Sequence, residues 1–256
     1  MATTKCNFCQ KPLEDSAQEC LYCGAIFSSK LFSNRTFISE SEIDARIDAD
    51  IERRFGEGDI VFDGKHGILF KRPLRITKSE TILGDKAIIH KNITAVSFNI
   101  FHPVPSNTFL VQTHINLCDG NKRLKINVSS NNKTPFISDD LIGAFWVLVG
   151  TRIFYNMILA FDSSKDVNLC GYKINRDGIF CSAKFGKTKH VKWSDYCGMK
   201  HVNEKIIMLM AKDTGGRVNS FGKFDLRWLN SEYFRDLMPI FCKKVIPQMK
   251  VETGYV

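Results

Sequence analysis

Two pairs of cysteines near the amino terminus have the residue type and spacing of a metal site. Two residues separate Cys6 from Cys9 and Cys20 from Cys23, and ten residues lie between the pairs. Zn²⁺ selects four thiolates in a closed tetrahedral site, and Gly24 after the second pair permits the tight backbone turn of a cysteine knuckle. The sequence therefore predicts one structural zinc ion that folds this segment and has no open position for catalysis.

A redox Cys-x-x-Cys is the alternative interpretation of these pairs. It requires a surrounding βαβ pattern, and two pairs in so short a stretch argue against it. The stretch KCNFCQKPLEDSAQECLYCGAIF resembles the short zinc ribbons that begin many prokaryotic proteins, with Gln10 as a departure after the first pair. The resemblance implies a zinc ribbon over residues 1–30.

A second group of residues could bind anions. Lys184, Lys187, Lys189, His190 and Lys192 lie within nine residues. Like charges so close together repel each other, and an incoming phosphate relieves that repulsion. The four lysines are therefore the candidate anion or lipid site, and a solvated basic hairpin without a ligand is the alternative.

Catalytic motifs in this region are incomplete. Residues 181–188 (CSAKFGKT) place Cys181 where the phosphate-binding loop Gly-x4-Gly-Lys-Thr requires its first glycine, and they fall between two predicted strands. Cys197 with His190 or His201 lacks a third group to orient the base. The chain is therefore expected to have no catalytic residue and to be a non-enzyme.

Cysteine content and the amino terminus indicate the compartment. Nine cysteines, an odd number with four in close pairs, suit a reducing environment and a metal better than a disulfide framework. The first residues lack the apolar stretch of a secretory signal, so a cytoplasmic location is expected. The expectation includes peripheral contact of the protein with a membrane surface. The remaining cysteines are expected to be buried small apolar side chains: Cys118, Cys170, Cys181, Cys197 and Cys242.

The net charge of +9 lies in the last three quarters of the chain. Residues 1–30 are neutral, residues 31–58 are acidic, and residues 59–165 and 166–256 are both basic. A basic surface favours anionic lipid or nucleic acid, beside an unidentified protein partner. A binding or scaffolding protein is the first interpretation. A nucleic-acid-associated zinc-ribbon protein is the alternative, against which the neutral ribbon argues.

The zinc-binding segment is followed by an acidic linker helix, predicted within residues 31–58. Ser39 and Glu42 have the spacing of a capping box, and Gly56 stops the pattern. Apolar residues follow every fourth position in between: Ile43, Ile47, Ile51 and Phe55. This narrow stripe is expected to dock on the domain that follows.

Beyond residue 58 the chain contains the same unit twice, because four matches occur in one order. They pair Arg75–Ser79 with Lys173–Asp177, His90–Val96 with Trp193–Met199, Ile115–Leu117 with Ile207–Leu209, and Phe136–Ile142 with Trp228–Phe234. Each copy is predicted to contain short antiparallel strands closed by a helix. Alternation is clearest where Leu124, Ile126 and Val128 share one face, and Arg123, Lys125 and Asn127 share the other.

This order resembles the pleckstrin-homology-like (PH-like) fold, in particular its bacterial members. Trp193-Ser-Asp195-Tyr196 is the closest match, and His90-Lys-Asn92-Ile93 departs from it. The resemblance implies a β-rich α+β protein with PH-like sandwich or barrel domains over residues 59–165 and 166–256, each closed by a carboxy-terminal helix. In such domains the loop between the first two strands often holds phosphoinositide headgroups, and the four lysines are predicted to lie there.

One apolar segment, Leu141–Phe161, is about as long as a membrane span. Arg152 near its centre is costly in a lone spanning helix. Its counterpart in the second copy, residues 231–249, carries several charges and Pro239. The segment is therefore expected to be a buried core helix, and no transmembrane segment is expected.

Overall fold

The computed structural model describes residues 3–5, 12–14, 39–66, 72–101, 111–130, 137–182, 188–202 and 206–246. Two short strands near the amino terminus, β1 (Thr3–Lys5) and β2 (Pro12–Glu14), pair antiparallel. The chain divides into two compact units, Met1–Ile153 (unit 1) and Phe154–Val256 (unit 2). This division falls inside the long apolar segment, whereas the predicted boundary between the two β domains follows residue 165.

Helix α1 (Glu40–Phe55) has the cap and the apolar stripe that the sequence predicts. The Ser39 hydroxyl accepts the backbone N–H of Glu42, whose carboxylate accepts the N–H of Ser39. The isoleucines of the stripe are buried, and Gly56 ends the helix at a φ of 68°. Lys78 of unit 1 donates to the Glu52 carboxylate at 2.6 Å. The prediction of a docked amphipathic helix is therefore confirmed.

Unit 1 continues with two antiparallel sheets. Four strands form the first sheet in chain order: β3 (Ile60–His66), β4 (Arg72–Thr77), β5 (Glu80–Leu83) and β6 (Lys86–Ile89). A short 3₁₀ turn, His90–Asn92, leads to the second sheet of three strands: β7 (Ala95–Phe101), β8 (Val111–Cys118) and β9 (Arg123–Ser130). The predicted alternation in β9 is confirmed, since its three apolar residues are buried and its three polar partners are exposed.

A long helical run follows the second sheet. It consists of α2 (Ile137–Phe145), a π-helical stretch (Trp146–Gly150) and α3 (Thr151–Asp162). The Thr151 hydroxyl donates to the carbonyl of Trp146 at 3.2 Å, and Arg152 forms an ion pair with Asp44 of α1. Arg152 is thus paired inside the protein.

Within the described residues, one helix, Asp140–Asp162, is long and apolar enough to cross a membrane, with a mean hydropathy of 1.5. In its most apolar window, 78% of the residues are buried. Length and composition alone make it a candidate span, and buried core helices share both properties.

Unit 2 has the same order of elements after α3. A four-stranded antiparallel sheet contains β10 (Val167–Leu169), β11 (Tyr172–Asn175), β12 (Gly178–Ser182) and β13 (Thr188–Val191). A three-stranded sheet contains β14 (Tyr196–His201), β15 (Ile206–Lys212) and β16 (Val218–Asp225), and α4 (Ser231–Val245) follows. The chain is a β-rich α+β protein with several antiparallel sheets and few helices.

The core of unit 2 joins its two helices. Phe161 of α3 stacks on Phe241 of α4 with ring centroids 4.1 Å apart and planes 9° apart. Beside this stack, the Lys244 ammonium donates to both carboxylate oxygens of Asp162 at 2.7 and 2.6 Å. Stacked aromatic rings next to a paired charge hold the helix ends together.

Candidate functional site

The four cysteines of the predicted zinc site, Cys6, Cys9, Cys20 and Cys23, lie outside the described residues. The strands on either side of the first pair in sequence are described: Lys5 of β1 pairs with Pro12 of β2. Among the described residues, no group of three or more His, Cys, Asp or Glu side chains could hold a metal ion.

The basic cluster lies on the β12–β13 hairpin. Lys184 and Lys187 fall in residues 183–187, outside the described residues, whereas Lys189 and Lys192 are described and exposed. Neither Lys189 nor Lys192 forms an ion pair with a described carboxylate. The hairpin joins the third and fourth strands of its sheet, so the prediction that it joins the first two strands is wrong.

Two tight turns explain that error. Leu169 pairs with Tyr172, so β10 and β11 are joined by Cys170 and Gly171 alone, at φ values of 53° and 77°. Such a two-residue turn with both φ values positive is the form that joins twisted antiparallel strands. The predicted second copy begins near Lys173, which omits the short strand β10. It also has no break at the second turn, where Asn175 of β11 pairs with Gly178 of β12.

Strand alternation divides the basic hairpin between two faces of the sheet. Lys189 lies opposite Cys181 and His190 lies opposite Phe180. Successive residues of a strand point to opposite faces, so the Lys189 and His190 side chains lie on different faces. The structure therefore does not gather every cation of the hairpin into one patch.

His190 belongs to a row of side chains that crosses the sheet. Lys173 on β11 pairs with Phe180 on β12, and Phe180 pairs with His190 on β13. The His190 and Phe180 rings stack with centroids 4.2 Å apart and planes 3° apart, and the Lys173 ammonium lies 5.4 Å from the centre of the Phe180 ring. This row presents a cation and two flat rings side by side, a surface suited to an anionic or aromatic group. Lys173 also pairs with Asp166 at 3.2 Å.

Lys173 and Phe180 are not among the site residues predicted from the sequence. A sequence pattern could have identified these two residues, because each strand has one polar or aromatic residue on its outward side. Using that pattern requires the register between strands, which depends on the missed turns.

A glycine at the start of β12 allows the two strands of this hairpin to approach each other closely. Gly178 begins β12 with a φ of 147°, and a β-carbon there would lie 2.1 Å from the carbonyl oxygen of Val191 and 2.9 Å from His190 Nε2. His190 Nε2 itself donates to the carbonyl of Asp177 at 3.1 Å. The close approach of the two strands therefore requires a residue without a side chain.

An aromatic ring anchors the far end of the hairpin. Trp193 is buried, and its indole N–H donates to the carbonyl of Asn175 at 2.8 Å. In unit 1, His90 is the buried ring after the fourth strand, and its Nδ1 lies 3.2 Å from the carbonyl of Lys78. Both rings thus contact a backbone carbonyl at the end of the second strand of their sheet.

The neighbours of His90 fix its protonation state. A carbonyl only accepts, so Nδ1–H donates to Lys78 and Nε2 accepts from the Thr81 hydroxyl at 2.8 Å. Burial lowers the pKa of His90 to about 4, although the hydrogen bond to Lys78 acts in the opposite direction. His90 is therefore a neutral core residue and does not form a basic surface with its neighbours Lys86 and Lys91. Lys86 and Lys91 are exposed.

The thiols outside the predicted zinc site differ in exposure. Cys170 and Cys242 are buried, Cys118 and Cys181 are half-buried, and Cys197 is exposed. The prediction of burial is wrong for Cys197, because it is the extra residue of a β-bulge in β14.

Neither of two thiols near the basic hairpin is arranged as a nucleophile. Burial raises the pKa of Cys181, and the charge of Lys189 opposes that shift only in part. The Cys197 thiol donates to the carbonyl of Asp195 at 3.4 Å, and no described hydrogen bond joins it to His190. The side chain of His201 lies outside the described part of the chain. A raised pKa keeps a thiol protonated and weakly reactive.

No protein-family model matches this chain, and no curated protein sequence matches it.

Proposed function

We propose that this chain is a non-enzymatic binding protein of the cytoplasm, built from a zinc ribbon and two PH-like domains. In this proposal the domains present surfaces to a protein partner, and the β12–β13 hairpin contacts anionic lipid headgroups at a membrane surface. One zinc ion held by Cys6, Cys9, Cys20 and Cys23 folds the ribbon.

The repeated order of elements is the observation that carries the proposal. Each unit has a four-stranded antiparallel sheet, then a three-stranded antiparallel sheet, then a helix. The predicted matches fall on equivalent elements: Ile115 and Leu117 are buried on β8, and Ile207 and Leu209 are buried on β15. His90 and Trp193 make the same kind of carbonyl contact. These features support a duplicated PH-like unit.

The pairing of β1 with β2 supports the ribbon. A zinc knuckle needs its two ligands close together along the chain, and only six residues, which include Cys6 and Cys9, separate the paired residues Lys5 and Pro12. The second pair completes the ligand set by its spacing.

Purified protein is expected to contain one zinc ion per chain, and a Cys20→Ser/Cys23→Ser variant is expected to contain none. Two thiolates alone hold Zn²⁺ far more weakly than four, and folding of the module depends on the metal. Elemental analysis by mass spectrometry measures the ratio. A Cys118→Ser/Cys197→Ser variant is the matched control and should keep its zinc. Zinc that persists without Cys20 and Cys23 would contradict the proposed ligand set.

The charge of the hairpin supports the lipid contact. Lys189 and Lys192 are exposed without a described carboxylate partner, and the stretch between the two strands adds Lys184 and Lys187. Unpaired lysines near an anionic surface each contribute about 1 kcal/mol of attraction. Four of them together are enough for measurable binding.

Replacing Lys184, Lys187, Lys189 and Lys192 by Gln should weaken binding to phosphatidylserine vesicles by about a hundredfold or more, since each lost charge removes its attraction. Vesicle co-sedimentation over a salt series measures this loss, and circular dichroism checks the fold.

The matched control replaces Lys122, Arg123 and Lys125 of unit 1 by Gln, which should change vesicle binding little. Equal losses from both sets would indicate a diffuse basic surface without a site. Tighter binding of DNA or RNA than of vesicles at the same salt would favour the nucleic-acid alternative.

A further inference from the structure

The central strand of the three-stranded sheet in unit 2 is apolar on both faces. Its inward residues Ile207, Leu209 and Ala211 are buried, and its outward residues Ile206, Met208 and Met210 are half-buried. A strand that is apolar on both sides is typically covered on both sides. The outer face of this sheet therefore has the composition of a surface that packs against something.

The equivalent strand in unit 1 shows that the fold does not require an apolar outer face on this sheet. The outward residues of β8 include Gln112, His114 and Asn116, whose inward neighbours Ile115 and Leu117 are buried. The usual pattern of a half-covered antiparallel sheet, polar outside and apolar inside, is kept there. The methionines on β15 are thus a feature of unit 2 alone.

Lysines border the apolar stripe on both sides. Met208 pairs with Lys200 of β14 on one side and with Lys223 of β16 on the other, and both lysines are exposed. The single carboxylate in the described cross-strand rows of this face, Asp225, is held by Arg227 with a contact at 2.8 Å. The face is therefore an apolar stripe between two positive edges.

We propose that the outer face of β14–β16 is the docking surface for an acidic amphipathic helix of a protein partner. This rests on the proposed function, in which the chain binds protein, and it names the surface and the chemistry of the partner. The apolar stripe of such a helix lies on Met208 and Met210, and acidic residues along both its flanks meet Lys200 and Lys223.

The dimensions of the face fit one helix. Neighbouring strands lie about 4.8 Å apart, which separates the backbones that carry Lys200 and Lys223 by about 10 Å, the diameter of a helix with its side chains. The seven residues of β15 extend over about 23 Å, or roughly four helical turns. Methionine side chains adapt to the shape of the ridge that they receive.

Two other occupants fit the charges less well. A second copy of the chain, docked through the same face, would bring lysines against lysines. A bilayer requires apolar groups that protrude past the cations to reach the acyl chains, whereas Met208 and Met210 lie half-buried between the lysine-bearing strands. A helix supplies its own apolar ridge and needs no such protrusion.

A pair of labelled peptides tests the proposal with the full chain. Each peptide has about 18 residues, or five helical turns, with leucine at every third or fourth position. One carries Glu along both flanks and its twin carries Lys, and fluorescence anisotropy measures binding. The Glu peptide is expected to bind saturably and the Lys peptide is not.

Reversing the charges of the two lysines then tests whether they recognise the charge of the peptide or only support the fold. A Lys200→Glu/Lys223→Glu variant should bind the Glu peptide about tenfold more weakly and should gain affinity for the Lys peptide. A Lys122→Glu/Lys125→Glu variant in unit 1 is the matched control and should behave as the native chain. A Met208→Gln/Met210→Gln variant should bind the Glu peptide more weakly and should gain no affinity for the Lys peptide.

Several results would overturn the inference. The first is that the native chain does not bind the Glu peptide, and the second is that the unit 1 control loses as much peptide affinity as the Lys200→Glu/Lys223→Glu variant. The third is that the Lys200→Glu/Lys223→Glu variant loses a dimer or loses vesicle binding, which would assign the face to a second copy or to a bilayer. The lipid contact is tested separately, by the loss of vesicle binding in the Lys184/Lys187/Lys189/Lys192 variant alone. Failure of the peptide experiment therefore does not count against the lipid contact, and failure of the vesicle experiment does not count against the docking surface.

Discussion

Replacing Gly178 by Ala is expected to destabilise unit 2 by about 3 to 5 kcal/mol. The new β-carbon would lie 2.1 Å from the carbonyl oxygen of Val191, and the φ of 147° is one that residues with a side chain rarely adopt. The neighbour that must move is strand backbone, whose displacement breaks the β12–β13 pairing. Hydrogen exchange with mass spectrometry in increasing urea measures the loss in peptides from β10–β13.

Gly198 provides the matched control for this substitution. It also has a positive φ, 113°, but a β-carbon there would meet no atom within 4 Å. Gly198→Ala should therefore cost about 1 to 2 kcal/mol, from backbone strain alone. Equal effects of the two substitutions would show that the contact with Val191 is not the cause, and protection of β3–β9 should be unchanged in both.

Acidification is expected to destabilise unit 1 through His90. The pKa of about 4 in the folded chain lies below the ordinary value of 6.5, so the unfolded chain binds the proton more readily. The stabilising contribution of neutral His90 is present above pH 6.5 and is lost as the pH falls from 6.5 to 4. The loss over that window is about 3 kcal/mol, at 1.36 kcal/mol for each unit of pKa.

Urea unfolding at several pH values measures this loss. Trp146 is the single tryptophan of unit 1, so its fluorescence reports on that unit when Trp193 and Trp228 are replaced by Phe. His90→Gln should remove most of the decline between pH 6.5 and 4, whereas His190→Gln, at an exposed site, should retain it. A decline of the same size in the His90→Gln variant would assign it to other groups.

Local features of the fold were predictable from the sequence because neighbouring residues determine them. The capping box of Ser39 and Glu42 and the isoleucine stripe of α1 depend only on spacing along a helix. The alternation of Leu124, Ile126 and Val128 on β9 depends only on the period of a strand. These predictions needed no knowledge of partner strands.

The position of the basic hairpin was not predictable in the same way. The turn between β10 and β11 places Cys170 at a positive φ, and cysteine gives no such signal in a sequence. Without that turn and the next one, between β11 and β12, the number of strands before Lys189 was wrong by two. The row of Lys173, Phe180 and His190 was missed for the same reason, because it exists only once three strands are in register.

His90 shows a different limit. Its position next to Lys91 in the sequence suggests a basic surface. In the structure His90 is buried, and both of its ring nitrogens form hydrogen bonds. Only the positions of Thr81 and of the Lys78 carbonyl reveal that the imidazole is a core group. Such polar contacts belong to tertiary structure, which residue type alone does not encode.

The chain order of the sheets bears on how this protein folds as it is synthesised. In the described part of the chain, every hydrogen-bonded strand pair joins strands that are consecutive in sequence. Short loops close quickly, so each sheet can pair while later residues are still being made. In each unit a helix follows the two sheets, α2 in unit 1 and α4 in unit 2, and until it leaves the ribosome part of the apolar inner faces of the sheets stays open to other chains. Aggregation during synthesis is therefore a greater hazard for this protein just before residues 137–162 and 231–245 emerge than after them.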